Sequence, residues 1–135
     1  IPLRLEIGPR DIENGECVLV RRDTFEKITV KLDELEDKIK ELLDLIQQNM
    51  YDVCKKRMEA KTTVAHNLEE FKANMDKEQG FIKAMWCGDP ECEAKIKELT
   101  AAKSRCMPFV KEDIGDTCVC CGKKADKFVI WGRQY

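Results

Sequence analysis

Cysteine placement constrains this chain more than any other feature. Of eight cysteines in 135 residues, six fall after residue 86. Four of those six form two spaced pairs: Cys87 and Cys92, with four residues between them, and Cys118 and Cys121, with two. Each gap suits two thiolates gripping one tetrahedral zinc ion. The 25 residues between the pairs have room for a helix and a strand, enough to turn the two grips face to face. Cys92 falls in what reads as a first helical turn after Asp89, where the helix dipole favours a thiolate. Gly88 and Gly122 each follow a candidate ligand, where a tight turn favours a residue without Cβ. Lys123 and Lys124 are placed to offset the negative charge of a zinc held by four thiolates. A Cys118–Cys120 pair would leave a single intervening residue, a poor bite, so Cys121 is the preferred fourth ligand. Cys106 reads as a strand residue, and Cys17 and Cys54 as buried thiols. A disulfide scaffold is the weaker alternative, since such scaffolds spread their cysteines along a loop-rich chain, and the first residues show no secretory pattern. Four protein ligands close the coordination sphere. The site therefore reads as structural, and structural zinc contributes on the order of 10 kcal/mol to the folding of small domains.

The remaining sequence alternates strand and helix signals. Over Pro2–Gly8, Leu3, Leu5 and Ile7 face one way and Arg4 and Glu6 the other, the period of a half-buried strand. Gly8-Pro9 and Glu13-Asn14-Gly15 read as turns. Cys17–Val20 and Lys27–Leu32 predict two further strands. From Leu32 to Met58 apolar residues recur at steps of three and four, which predicts a long amphipathic helix with Asp33 and Glu36 as its capping box. The spacing is nearly heptad, but Asn49 falls where a coiled coil wants an apolar residue, so a surface helix laid on a sheet is preferred. Lys61–His66 reads as a boundary, because β-branched Thr62, Thr63 and Val64 break the helical pattern. Asn67 and Glu70 predict a second capped helix, with Leu68 and Phe71 inward and Gly80 just past its end. Phe81–Cys87 predicts a strand. Asp89 as N-cap and Pro90 at the first helical position predict a helix to about Leu99. Arg105–Phe109 and Lys127–Trp131 predict the last two strands.

Charge and absent motifs narrow the function. Lys+Arg number 24 against Asp+Glu 26, a formal net charge of -2. A polycation that coats nucleic acid by bulk charge is excluded, so RNA or DNA binding would rest on a few placed side chains. No apolar run approaches the roughly 18 residues needed to span a bilayer. His66 is the only histidine, and nothing beside it suggests a Ser-His-Asp or Cys-His arrangement. No glycine-rich phosphate cradle occurs. The chain reads as a binding or structural module and, opening on Ile1 inside a strand, as a piece of something longer.

Four segments, taken in order, resemble a known family. They are Ile1-Pro2-Leu3-Arg4-Leu5-Glu6-Ile7-Gly8-Pro9-Arg10-Asp11, then Val20-Arg21-Arg22-Asp23-Thr24, then Trp86-Cys87-Gly88-Asp89 with Cys92-Glu93, and finally Gly132-Arg133-Gln134-Tyr135. Together they resemble the C-terminal part of prolyl-tRNA synthetases of the archaeal/eukaryotic-like type. The resemblance implies an α/β chain: the second half of a class II synthetase anticodon-binding domain over residues 1–61, followed by a small α/β zinc-binding domain over residues 62–135. It places the metal ligands on Cys87, Cys92, Cys118 and Cys121, and puts the catalytic motifs upstream, so no catalytic residue is expected here. The parent would be a cytoplasmic, homodimeric proline–tRNA ligase using ATP and Mg²⁺, with tRNA(Pro) as partner and neither membrane nor DNA. Proline anticodons share two guanines, whose O6 and N7 acceptors suit Arg or Lys. The family's guanine-reading positions fall on Arg4 and Lys27, which by themselves read as solvated strand charges. Its C-terminal tyrosine, whose carboxylate faces the active site, falls on Tyr135, by itself a frayed aromatic end.

Two readings from other classes stand beside this one. The first is a free-standing zinc module that binds a protein partner through its amphipathic helix. The second is a redox protein using Cys118 and Cys121.

Overall fold

In the computed structural model, residues 1–77 and 80–133 are described. The chain divides into two units, Ile1–Lys56 and Arg57–Tyr135. No helix among the described residues is long and apolar enough to cross a membrane.

In the first unit the alternating segments become a three-stranded antiparallel sheet of β1 (Leu3–Glu6), β2 (Glu16–Arg21) and β3 (Lys27–Lys31), in that order. Register sets which side chains share a face: Leu5 lies opposite Leu19, and Leu19 opposite Ile28. That face carries the core. Cys17, Leu19 and Val30 pack with Leu42 of the long helix α2 (Leu35–Ala60), and Leu3, Ile28, Leu35 and Ile39 close around them. Burying each of these larger side chains contributes about 1.5–3 kcal/mol. The surface-helix reading of α2 is thus correct, with Leu42 and Ile46 its buried residues.

Two local expectations are revised. Gly8 to Gly15 is not a pair of turns but a six-residue helix, α1 (Pro9–Asn14). Pro9 pre-sets the first helical φ, the Asp11 carboxylate accepts from the Gly8 N–H at 2.7 Å, and Gly15 closes the end at φ +68°. Asp33 is not a cap, because Leu32–Glu34 form a 3-10 turn ahead of α2, whose Leu32 N–H bonds Gly15 O at 2.9 Å.

The second unit is a four-stranded sheet in the order β4 (Thr62–Val64), β5 (Phe81–Trp86), β7 (Lys127–Arg133), β6 (Ala102–Cys106). β4 runs parallel to β5, and the other pairs are antiparallel. The segment read as a boundary is therefore itself a strand. The strand expected over Arg105–Phe109 lies earlier, because Ala102 is fully buried while Phe109 is fully exposed. Helices α3 (Leu68–Lys77) and α4 (Pro90–Thr100) follow the caps expected of them. Asn67 Oδ1 accepts from Glu70 N at 2.9 Å, and Glu70 Oε2 accepts from His66 N at 2.9 Å. Trp131 sits at the centre of the core, edge-on to Phe71 and Trp86 with ring centroids 6.0 and 6.3 Å away.

Candidate functional site

The two cysteine grips are built by two turns at one end of the second sheet. β5 ends at Trp86, and Cys87-Gly88 turns the chain into Asp89, whose side chain accepts from Glu91 N at 2.9 Å and starts α4. Cys92 then lies in the first turn of the helix. Gly88 holds φ +91°, which glycine adopts without the penalty a Cβ would bring. The Trp86 indole donates to Asp89 O at 3.1 Å and locks this loop from the β5 side. The second grip is a hairpin closed by Cys118 N to Lys123 O at 2.7 Å and by Gly122 N to Cys118 O at 2.8 Å. Val119 N bonds Met85 O at 2.9 Å, which docks this hairpin on β5. No local sequence signal marks the Trp86 and Val119 contacts.

These turns bring Cys87, Cys92, Cys118 and Cys121 together, with all four sulfurs within 4.8 Å of one another. Sulfurs 2.3 Å from a common tetrahedral ion would stand about 3.8 Å apart. The Cys87–Cys92 and Cys87–Cys121 sulfurs stand 3.7 and 3.9 Å apart. The four cysteines can hold a metal ion, and thiolate donors in this geometry suit zinc. Cys120 is outside this four-sulfur group; it packs half-buried against the apolar cores and lines the same cavity as Cys92 and Cys121. Lys123, with Lys95 of α4, lines a cavity beside Cys92 and Cys121. All eight cysteines are free thiols. Cys17 is buried as expected, but Cys54 is exposed on α2.

Ionisation within the cluster is uneven. Burial opposes the Cys118 thiolate, but backbone N–H groups at Cys121, Cys120 and Cys87 bring that thiol down to about 7. Burial pushes Cys92 up, and the neighbouring thiols of Cys121 and Cys87 add to it. The dipole advantage expected for Cys92 is therefore outweighed by desolvation. Around Cys87, the backbone at Asp89 favours the thiolate, but burial and the Cys118 and Cys121 thiols prevail and raise it. Four thiols this close cannot all ionise without a cation among them, so metal binding and proton release are coupled.

The first unit presents a different chemistry. Arg4 lies opposite Val20, and Val20 opposite Lys27, so both cations share one cross-strand row on the face away from α2. Glu6 accepts from Arg4 and, at 3.4 Å, from Lys27 Nζ. The Arg4 hydrogen bond is the main cause of its lowered pKa; burial works against it and Lys27 adds to it. The turn joining β2 and β3 is held from behind. Asp23 receives Arg21 Nε and a terminal guanidinium nitrogen at 3.1 and 2.7 Å, and Asn49 Nδ2 of α2 at 2.7 Å. Tyr135 lies outside the described residues.

Comparison with known proteins places both halves. The family described as "Prolyl-tRNA synthetase, C-terminal" matches residues 68–135, and the family "Anticodon binding domain" matches residues 1–42. The whole chain is 58% identical to part of a proline–tRNA ligase of Clostridium botulinum (strain Okra / Type B1) and 56% identical to part of one from Lachnospira eligens. It spans 28% of the length of each of these relatives. It also superposes over its full length on 29% of a crystal structure of prolyl-tRNA synthetase from Cryptosporidium parvum complexed with L-proline and AMP, with TM-score 0.88 and 34% identity.

Proposed function

Because the chain belongs to the family of prolyl-tRNA synthetase C-terminal regions, we propose that it is the anticodon-recognising, metal-stabilised region of a proline–tRNA ligase. The observation that carries this reading is the shared row of Arg4 and Lys27, within the segment matched as an anticodon-binding domain. A guanidinium presents a planar fork of donors and an ammonium a point charge. Set in one row with Val20 between them, on the sheet face away from α2, they can engage O6 and N7 of splayed guanines, as single-stranded anticodon bases allow. Glu6 holds both cations in place between encounters, and an incoming guanine edge exchanges with it. With a net charge of -2, the chain gains little from bulk attraction, so these placed groups carry the discrimination.

In this reading residues 1–61 supply recognition and residues 62–135 form the metal-bound module. Cys87, Cys92, Cys118 and Cys121 would hold a structural zinc, which supplies folding free energy and leaves no open position for chemistry. Activation of proline with ATP and Mg²⁺, and its transfer to tRNA(Pro), belong to the rest of a cytoplasmic, homodimeric parent, toward whose active site Tyr135 would return the chain end.

The test compares binding of tRNA(Pro) and of the same tRNA with a swapped anticodon. Arg4→Ala should weaken binding to tRNA(Pro) by about 5- to 150-fold, the cost of one bidentate base contact of about 1–3 kcal/mol. It should leave the already weaker binding to the swapped tRNA unchanged. Equal loss on both RNAs would reduce Arg4 to a phosphate contact and overturn the reading.

A further inference from the structure

An exposed aromatic side chain stands beside the basic row without any part in the core. Phe25, in the turn between β2 and β3, is 78% exposed and holds φ +61°. A Cβ is penalised in that left-handed region, which glycine occupies freely. Glycine there would relieve the backbone and remove an apolar ring from water, so folding does not account for phenylalanine at this position. The turn is nonetheless firmly built. Phe25 N bonds Arg21 O at 3.0 Å, Arg21 N bonds Glu26 O at 3.0 Å, and the Arg21–Asp23–Asn49 network braces it from the helix side. The ring is presented on a fixed support. It lines a cavity of about 310 Å³ together with Ile1, Arg4, Val20, Arg21 and Arg22. One concavity is thus lined by an aromatic residue together with Arg4 and Arg22, and the Arg4 guanidinium is held nearby on Glu6.

We propose that Phe25 is a stacking platform for a nucleobase of a single-stranded RNA loop, adjacent to the base whose edge meets Arg4. The inference rests on the anticodon-recognition reading and adds a residue to it. An exposed aromatic face beside cations matches an unpaired nucleotide, whose base offers a π-face to Phe25 and whose phosphate offers a charge to Arg22, while Arg4 stays on the neighbouring base edge. A protein partner's apolar side chain would use the ring but leave the arginines unanswered. A folded RNA duplex would use the arginines but offer no free base face.

The experiment titrates the metal-loaded chain with a labelled proline anticodon stem-loop. One loop base at a time is replaced by 2-aminopurine, whose fluorescence falls when it stacks. Phe25→Gly should melt no lower than the parent chain, since glycine accepts the turn geometry, yet bind about 5- to 150-fold more weakly. It should also lose the quenching of one loop position. Phe25→Tyr should keep both affinity and quenching. If the parent binds in an Arg4-dependent way but Phe25→Gly binds equally well with unchanged quenching, stacking is refuted and the anticodon reading survives. If the parent chain does not distinguish the proline loop from a swapped loop, the anticodon reading falls, and the platform with it.

Discussion

Asn49 shows how a single residue can look misplaced until its distant partner is known. It interrupts the apolar stripe of α2, and the structure supplies the reason: its amide reaches Asp23 across 26 residues of sequence. Periodicity flags such a position but cannot name its partner. Asp23 itself is held at about 2 by the Arg21 guanidinium, with desolvation opposing and Asn49 helping. Its folded pKa lies below its ordinary value of about 3.9. The stabilisation is therefore complete above roughly pH 5 and disappears as pH falls through the folded pKa. Asp23→Asn should lower Tm at pH 7, and the gap between variant and parent should narrow steadily in melts taken from pH 5 down to pH 2. A gap that does not change with pH would show that the carboxylate charge contributes nothing. The roles proposed for Arg4 and Lys27 come only from the family resemblance, because a strand charge facing solvent has no local mark of function.

Elements were most legible where their ends carry chemistry. Asn67-Glu70 and Asp89-Pro90 located α3 and α4 because capping uses neighbouring residues. The missed elements are the shortest α-helix and the shortest strand. α1 has six residues and is held by Pro9, Asp11 and Gly15 rather than by an apolar stripe. β4 has three, and its partner on β5 lies nearly 20 residues away, so its pairing is tertiary. Of the caps, Asp89 has the wider consequence. Its side chain starts α4, and its carbonyl receives the Trp86 indole next to Cys87. Asp89→Ala should cost the second unit about 1 kcal/mol, a few degrees in Tm. It should also speed metal loss to a chelator, while melting of the first unit stays the same. An unchanged rate of metal release would separate the cap from the metal loop.

Over the whole molecule, two sheets are built by different means. The first unit closes an ordinary apolar core around Leu19, Val30 and Leu42. In the second, a core around Trp131 adjoins a cluster that buries Cys92 and Cys118 with Met85, Ala125 and Phe128. The pairing of the two grips was legible from spacing, because thiolate separation follows from ligand geometry. The supports from Trp86 and Val119 were not, since they come from β5 folding beside both turns. That four-thiol cluster lies in the segment matched by the family described as "Prolyl-tRNA synthetase, C-terminal", and the proposed role of the second unit rests on its holding zinc as a closed structural centre. Zinc K-edge X-ray absorption on the purified chain, calibrated for metal content, tests this most directly. One zinc per chain is expected, bound by sulfur alone in a single shell of four at about 2.3 Å. A first shell containing nitrogen or oxygen, or a zinc content well below one per chain, would contradict it.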